Sequence, residues 1–207
     1  VLNGTYYFGL KIPYMKPENN EGSSIIHWIS DVKINPYNKN EAWFNTGTGI
    51  FRTENLCSDK PVFCDCCCGI EETVHLNVYS PPSGDVMLID ILGDLGGFAF
   101  TDIRRFAGNT FTDEDNKRYI TCINADFPDN NPNLTVVTAR GNWRGTTRGG
   151  LIISRDQCRT FDFRPELPFG LSEKLDVLFH RIERPNVNAG WAAISADGVS
   201  IVWCVAD

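Results

Sequence analysis

Four of the eight cysteines lie in the string Cys64-Asp-Cys-Cys-Cys68, the densest group of reactive side chains in the sequence. Cysteine thiolates bind zinc when the ligands come in pairs separated by two to four residues. Cys64 and Cys67 have that spacing, but the chain offers no second pair of this kind. The sequence therefore predicts no metal site, and nothing in it indicates a cofactor.

Disulfides are the expected role of the cysteines. Adjacent cysteines do not bridge to each other readily, because a disulfide holds its Cα atoms about 4.4–6.8 Å apart. The cluster is therefore expected to pair with the other half of the set, in an order that the sequence leaves open: Cys64, Cys66, Cys67 and Cys68 with Cys57, Cys122, Cys158 and Cys204. The cysteine content and the glycosylation sequons at Asn3 and Asn133 favour a secreted, extracellular glycoprotein.

A polar loop, Asn142-Trp-Arg-Gly-Thr-Thr-Arg-Gly149, is the candidate binding segment. Tryptophan and arginine are favoured anchors in protein interfaces, and a tryptophan ring is also suited to stacking on a sugar. The expected binding residues are Arg140, Trp143, Arg144 and Arg148. The alternative is a loop tip that folds back onto the core.

Charge and composition exclude several classes of partner. The formal net charge of -7 argues against nucleic acid, which is bound through clustered cations. No apolar run approaches the ~18 residues needed to insert into a membrane. The three histidines are far apart in sequence, and we expect ordinary core or surface histidines without an aspartate partner. Because the chain starts at Val1 and not at Met, we expect a piece of a larger, multi-repeat protein.

Short strands separated by Gly, Pro, Asn and Asp dominate the pattern, and helical periodicity is nearly absent. Strands are predicted at 25–34, 42–46, 49–53, 74–79, 86–92 and at similar intervals to the end. Long loops are expected at 57–69 and 104–117. The sequence predicts an all-β protein with an irregular arm over 1–24 and one β domain over 25–207 that carries the cysteine-rich loop 57–69.

Internal similarity suggests the arrangement of these strands. Gly49 and Gly150 each begin a similar strand, and they are 101 residues apart, which is two units of roughly 50 residues. This is the size of a four-stranded propeller blade. We therefore predict a partial β-propeller of about four antiparallel blades, near 25–56, 74–104, 118–164 and 176–207, stapled by disulfides.

Two turn motifs support a propeller. The strings Ser154-Arg-Asp-Gln-Cys-Arg-Thr-Phe161 and Ser195-Ala-Asp-Gly198, the second with Trp203 beyond it, resemble the Asp-box of sialidase-like propellers. In that motif Ser and Asp satisfy the amides of a hairpin turn, and the aromatic residue fills the space between blades. Cys158 stands where glycine is expected, and Phe161 stands where tryptophan is expected.

Three strings resemble glycoside hydrolase family 74, the xyloglucan-hydrolysing enzymes. They are Ile26-His-Trp-Ile-Ser-Asp31 with Gly47-Thr-Gly-Ile-Phe51, Gly69-Ile-Glu-Glu-Thr73 with Ser80-Pro-Pro-Ser-Gly84, and Gly93-Asp-Leu-Gly-Gly-Phe98. The resemblance implies part of a pair of tandem seven-bladed propellers with a cleft between them. It also implies that Asp94 is one of two catalytic carboxyl groups.

The second catalytic carboxyl group of the family is missing from this chain. Its Arg-Thr-Asp-x-Gly-Gly word does not occur, and Ala99-Phe100-Thr101-Asp102 replaces the family's usual Arg-His-Asp-Asp. Glycoside hydrolysis by the usual route needs two carboxyl groups about 5 Å or about 6.5–9.5 Å apart. Asp90, Asp102, Glu71 and Glu72 are the other candidates, but Asp90 would lie about 13 Å from Asp94 on an extended segment. The alternative role for Asp94 is a turn residue that caps glycine amides.

These observations predict a non-catalytic, secreted binding or scaffold module. The resemblance extends to scaffoldin repeats of fungal cellulosomes and implies a cohesin-like module whose partner is a dockerin-bearing enzyme. One alternative is a fragment of an active xyloglucan endo-β-1,4-glucanase whose second acid lies elsewhere. Another is a carbohydrate-binding module for xyloglucan that uses Trp143.

Overall fold

The computed structural model describes residues 7–12, 28–70, 73–107, 110–141, 147, 149–164 and 190–204. Over these ranges the chain forms strands and no helix, which confirms the all-β prediction. The strands are β1 (Tyr7–Gly9), β2 (Asp31–Ile34), β3 (Ala42–Thr46), β4 (Gly49–Thr53), β5 (Val62–Asp65), β6 (Val74–Tyr79), β7 (Leu88–Gly93), β8 (Gly96–Phe100), β9 (Thr121–Asp126), β10 (Thr135–Arg140), β11 (Gly150–Ser154), β12 (Asp162–Arg164), β13 (Ala192–Ile194) and β14 (Ile201–Trp203). None of the described residues belongs to a helix long and apolar enough to cross a membrane.

The chain divides into two compact units, 1–72 and 73–207. The first unit contains a five-stranded sheet in the order β1-β5-β4-β3-β2. Strands β2 to β5 form an antiparallel meander. Its apolar face is built on Phe44, whose ring lies 5.1 Å from the ring of Phe51 and 5.0 Å from that of Phe63.

The expected loop at 57–69 contains a strand, β5, that sequence reasoning missed. Phe63 and Asp65 are buried, while Val62 is exposed. This alternation is typical of a strand with one covered face. The sequence signal was hidden because Pro61 directly precedes this short strand and the cysteine cluster begins within it, at Cys64. Consequently the first meander extends to residue 65 and not to 56.

Part of the segment 1–24 is also regular. Strand β1 pairs in parallel with β5, with Tyr7 opposite Val62. The chain that follows is held by the buried carboxylate of Asp65, whose Oδ2 accepts hydrogen bonds from the amides of Lys11 and Ile12 at 2.9 and 2.8 Å. Ile12 is buried. A short strand therefore lies along the outer edge of β5.

The second unit contains a seven-stranded sheet in the order β12-β11-β10-β9-β8-β7-β6, and a β13-β14 hairpin. The sheet consists of a three-stranded meander, β6 to β8, and a four-stranded meander, β9 to β12. The two meanders join in parallel through a single pair, Gly96 opposite Thr121. This break in the pairing marks a boundary between two successive blade-like groups.

Side-chain hydrogen bonds link the first strands of the two meanders and of the hairpin, which are β6, β9 and β13. The Asn77 amide on β6 donates to the carbonyl of Ile123 on β9 at 3.0 Å. On β9, the buried Asn124 bonds both backbone groups of Ala192 on β13, at 2.8 and 2.9 Å. The Asp126 carboxylate accepts from the Ile194 amide at 2.7 Å. Beyond the Gly96–Thr121 pair, side chains thus take the place of a backbone ladder between these groups of strands.

The predicted Asp-box at 154–161 has the expected contacts. Asp156 Oδ1 accepts from the amides of Arg159 and Thr160 at 3.0 and 2.9 Å. Ser154 Oγ accepts from the Cys158 amide at 2.8 Å. The Phe161 ring is buried, with its centroid 4.6 Å from that of Phe111. The Ser/Asp pair therefore forms the turn while the aromatic residue enters the core.

The second Asp-box repeats this chemistry near the surface. Asp197 Oδ1 accepts from the Val199 amide at 3.0 Å, and Ser195 Oγ accepts from the Ser200 amide at 2.9 Å. Gly198 has a φ of 74°, in the left-handed region. Trp203 packs against the smaller apolar cluster formed around Val136.

A partial propeller is thus consistent with the strand groups, but the blade count stays a prediction. The described residues hold two four-stranded meanders, one three-stranded meander and one hairpin, and their sheets do not close. The blade predicted over 176–207 lies mostly outside the described residues.

Candidate functional site

Asp94 lies at the tip of the hairpin formed by β7 and β8. Its φ is 64°, in the left-handed region, and its side chain is exposed. The Asp94 amide donates to Thr121 Oγ1 at 3.3 Å, which ties the tip to the start of β9. Among the described residues no group donates a hydrogen bond to its carboxylate. Asp94 therefore does not cap glycine amides, which was the alternative prediction.

The glycines that follow Asp94 let the hairpin approach its neighbours. A Cβ on Gly96 would lie 2.8 Å from the Tyr119 carbonyl oxygen, and a Cβ on Gly97 would lie 2.6 Å from the Phe111 ring. Gly96 also has a φ of 75°. The Gly-Gly pair is thus required by close packing, and this packing fixes where Asp94 projects.

Two arginines lie near this tip. Burial lowers the pKa of the Arg118 guanidinium, and the nearby Asp94 charge opposes this effect, so the two groups are within electrostatic range. Arg140, exposed at the end of β10, pairs with Thr121. The structure therefore brings Asp94 and Arg140 to either side of Thr121 at one end of the sheet. The other predicted binding residues, Trp143, Arg144 and Arg148, lie outside the described residues.

The candidate second carboxyl groups are engaged elsewhere or not described. Strand β7 is extended from Asp90 to Gly93, so no fold brings Asp90 back to Asp94. Asp102 bonds Arg104, and these hydrogen bonds lower the pKa of Asp102. Glu71 and Glu72 lie outside the described residues. Of the candidate carboxyl groups named from the sequence and described in the structure, Asp94 is the one that lies at the tip of this hairpin.

His75 corrects the prediction that no histidine has an aspartate partner. Its Nδ1 lies 2.9 Å from Asp90 Oδ1, and its Nε2 lies 2.6 Å from Thr73 Oγ1. The two strands that carry His75 and Asp90 were both predicted. The signal that would have found the pair is the hairpin register, since residues 75 and 90 fall on one face of neighbouring strands.

The eight cysteines are all described, and no two of them are joined by a disulfide, so the predicted staples are absent from this structure. The thiols are placed by packing. Cys122 and Cys158 belong to one apolar cluster of the second unit. Burial raises the pKa of Cys158 to about 11 and also raises that of Cys122.

The cysteine-rich segment itself is partly buried. The amide of Ile50 donates to Cys67 Sγ at 3.1 Å, and Cys67 is buried. Burial raises the pKa of Cys66 and Cys67 above the usual thiol value. Within the described ranges no three His, Cys, Asp or Glu side chains are grouped so that they could hold a metal ion.

The sequons remain predictions. Asn133 is exposed, and its Oδ1 accepts a hydrogen bond from the Gln157 amide side chain at 3.1 Å. Asn3 lies outside the described residues.

Four curated proteins match the chain, and all are named xyloglucanases. A Paenibacillus xyloglucanase is 26% identical over 197 residues, which is 92% of this chain and 17% of the relative. Xyloglucanase Xgh74A of Acetivibrio thermocellus is 26% identical over 180 residues, which is 84% of this chain and 19% of the relative. An oligoxyloglucan-reducing end-specific xyloglucanase of Emericella nidulans is 34% identical over 80 residues, 37% of this chain and 10% of the relative.

Solved structures show the same fold. The GH74 xyloglucanase of Xanthomonas campestris superposes with a TM-score of 0.69 at 22% identity, over 98% of this chain and 26% of that one. The GH74 enzyme of Niastella koreensis superposes with a TM-score of 0.63 at 19% identity, over 97% of this chain and 24% of that enzyme. No family model matches the chain. The chain spans less than a fifth of the curated relatives, and it is similar, over nearly its whole length, to a part of the xyloglucanases of glycoside hydrolase family 74.

Proposed function

We propose that the protein carries one of the two carboxyl groups of a xyloglucan-hydrolysing site, and that Asp94 is this group. The observation that carries the proposal is the exposed carboxylate of Asp94 at the tip of the β7–β8 hairpin. No described residue donates a hydrogen bond to this carboxylate. Similarity to proteins that are all named xyloglucanases supports the substrate class. The fragment alternative is therefore better supported than the non-catalytic scaffold.

Because Asp90 and Asp102 do not approach the tip, the proposal places the second carboxyl group outside the described residues. It lies in another section of a longer protein or on another chain. One of the two groups then protonates the leaving glycosidic oxygen, and the other activates water or attacks the sugar. Asp94 lies at the end of a packed hairpin, so its position relative to a bound sugar is held by β7, β8 and β9.

Arg140 is proposed to bind the polysaccharide beside Asp94. It is exposed, and its backbone pairs with Thr121, which also bonds the Asp94 turn. A guanidinium has several N–H donors for sugar hydroxyls. Trp143, Arg144 and Arg148, which lie outside the described residues, stay proposed binding residues from the sequence. An extracellular location belongs to the same proposal, since xyloglucan is a cell-wall polymer.

The test compares Asp94→Asn with the native sequence in release of reducing ends from xyloglucan, within a longer protein or assembly that supplies the second carboxyl group. We expect a loss of about 10²–10⁴-fold, the usual contribution of general acid–base catalysis. Asp129→Asn is the matched control, because Asp129 is an exposed turn residue that precedes β10. Equal turnover by Asp94→Asn and native protein would contradict the assignment.

One observation supports the two non-catalytic alternatives, a carbohydrate-binding module and a scaffold module. Strand β8 carries Ala99 and Phe100 where the resembled family commonly has polar residues, which leaves fewer polar groups beside Asp94. Xyloglucan binding without hydrolysis by the native protein would select a carbohydrate-binding module. Retention of dockerin-bearing enzymes in excess xyloglucan would select the scaffold module.

A further inference from the structure

Thr73, His75 and Asp90 form a continuous chain of side-chain hydrogen bonds beside β6 and β7. The Thr73 hydroxyl lies 2.6 Å from His75 Nε2, and His75 Nδ1 lies 2.9 Å from Asp90 Oδ1. A hydroxyl on a histidine that is oriented by a carboxylate is the arrangement that activates a nucleophile. The hydrolysis proposed for Asp94 makes no use of these groups.

Local structure explains why the three side chains meet. Thr73 and His75 are two residues apart on an extended segment, so they lie on one face. The register of β6 against β7 shifts between His75 and Asn77, which is a β-bulge. Bulges redirect side chains at sheet edges and near active sites. Here the bulge directly follows His75, on the edge strand of the sheet.

Burial of Asp90 sets the direction of the hydrogen bonds. Its side chain is only 7% exposed, and a buried carboxylate is costly unless it is bonded. A carboxylate offers only acceptors, so His75 Nδ1 carries the proton that Asp90 accepts. In the tautomer with this proton on Nδ1, Nε2 is an acceptor and faces the hydroxyl of Thr73.

We propose that Thr73 is the nucleophile of an acyl-transfer site, with His75 as its base and Asp90 as the group that positions the ring. Thr73 Oγ1 attacks the carbonyl carbon of an ester and gives its proton to His75 Nε2. The ester C–O bond breaks, and the alcohol leaves with that proton. Water then attacks the acyl-Thr73 ester, and His75 takes the water proton and returns it to Thr73 Oγ1.

The open surroundings define the substrate class. The His75 side chain is 54% exposed, and Thr73 is partly exposed, so both reach solvent at the edge of the sheet. Such a site accepts a small acyl group carried on a larger alcohol, where only the ester has to approach the hydroxyl. The substrate class is therefore a small acyl ester such as an acetate ester.

The test uses p-nitrophenyl acetate and the native protein, with two readouts. Release of p-nitrophenolate gives the rate, and peptide mass spectrometry after acid quenching locates the acetyl group. We expect acetyl-Thr73, and a rate loss of about 100-fold in Thr73→Val and in His75→Gln. Thr73→Ser keeps the hydroxyl and is expected to retain the rate and the acetylated peptide.

Thr101→Val is the matched control, because Thr101 is an exposed threonine just after β8, and the rate of this variant should equal that of the native protein. Thermal melting of each variant verifies folding. Unchanged turnover in a folded Thr73→Val variant, or acetyl groups found only on other residues, would overturn the proposal. A purely structural Asp90–His75 contact predicts that outcome. Because the substrate and the nucleophile differ from those of the Asp94 site, failure here is distinguishable from failure of xyloglucan hydrolysis.

Discussion

The two Asp-box turns have the same turn chemistry in different surroundings. In both, a serine hydroxyl and an aspartate carboxylate accept hydrogen bonds from turn amides. At the first turn the aromatic Phe161 is 5% exposed in the main core, whereas Trp203 at the second turn is half-buried against a smaller cluster. The hydrogen bonds that define the turn are thus shared, and we predict that burial of the aromatic residue determines how strongly each turn stabilises the fold.

The largest difference is expected from truncating the two aromatic residues. Phe161→Ala removes a buried ring that contacts Phe111 and should lower the free energy of unfolding by about 3–5 kcal/mol. Trp203→Ala should have a smaller effect, because its ring is partly solvated already. Urea unfolding of both variants measures the difference. Equal losses would show that burial does not separate the two turns.

Removal of the aspartate is also expected to destabilise the first turn more than the second. Asp156→Ala removes acceptors for Arg159, for both donors of Thr160 and for Ser154, and should cost about 1–3 kcal/mol. Asp197→Ala removes fewer bonds at the surface and should cost less. Denaturant midpoints give the comparison, and a larger loss for Asp197→Ala would contradict it.

Acid should weaken the first turn. Partial burial raises the pKa of Asp156, but the hydrogen bonds from Thr160, Ser154 and the Arg159 amide outweigh it, so its pKa lies below the ordinary 3.8. A carboxyl group with a lowered folded-state pKa contributes stability that is present above 3.8 and is lost as the pH falls through the folded-state value. Unfolding measured from about pH 7 downward should show this loss in the native protein and a weaker loss in Asp156→Asn. If stability fell equally with pH in the native protein and in Asp156→Asn, Asp156 would not be the source of the acid sensitivity.

The smallest effects are expected at a residue with left-handed backbone in each turn, Cys158 in the first and Gly198 in the second. Cys158 has a φ of 62°, so Cys158→Gly relieves about 1–2 kcal/mol of backbone strain. The substitution also removes a buried side chain, whose burial contributes a similar free energy to stability. Its net effect should be within about 1 kcal/mol. Gly198→Ala adds strain at a φ of 74° and a Cβ 2.9 Å from the Leu134 side chain. Calorimetric melting should therefore show a larger loss for Gly198→Ala, and the reverse order would break the comparison.

Strand positions could be predicted where alternation and turn residues coincide. The predictions 42–46, 49–53 and 74–79 equal β3, β4 and β6. The Asp-box turns were predictable because their hydrogen bonds are local. Strands β1 and β5 were missed, since each is short and gains its stability from pairing with a residue far along the chain.

The site could be predicted in part. Asp94 followed from a resemblance, and its exposure follows from the glycines beside it. The Thr73–His75–Asp90 contacts were not predicted, because they depend on a bulge and on strand register. The disulfide prediction was based on the number and spacing of the cysteines, which do not reveal that Cys122 and Cys158 are packed into an apolar core.

The parallel pairing of β1 with β5 has a consequence for assembly. A three-residue strand that closes a long loop should form late in folding and open before the rest of the sheet. When β1 detaches, the backbone groups along one side of β5 lose their partners and can accept the equivalent strand from a second molecule. The same short strand that completes the sheet in one molecule thus provides a route to domain-swapped dimers.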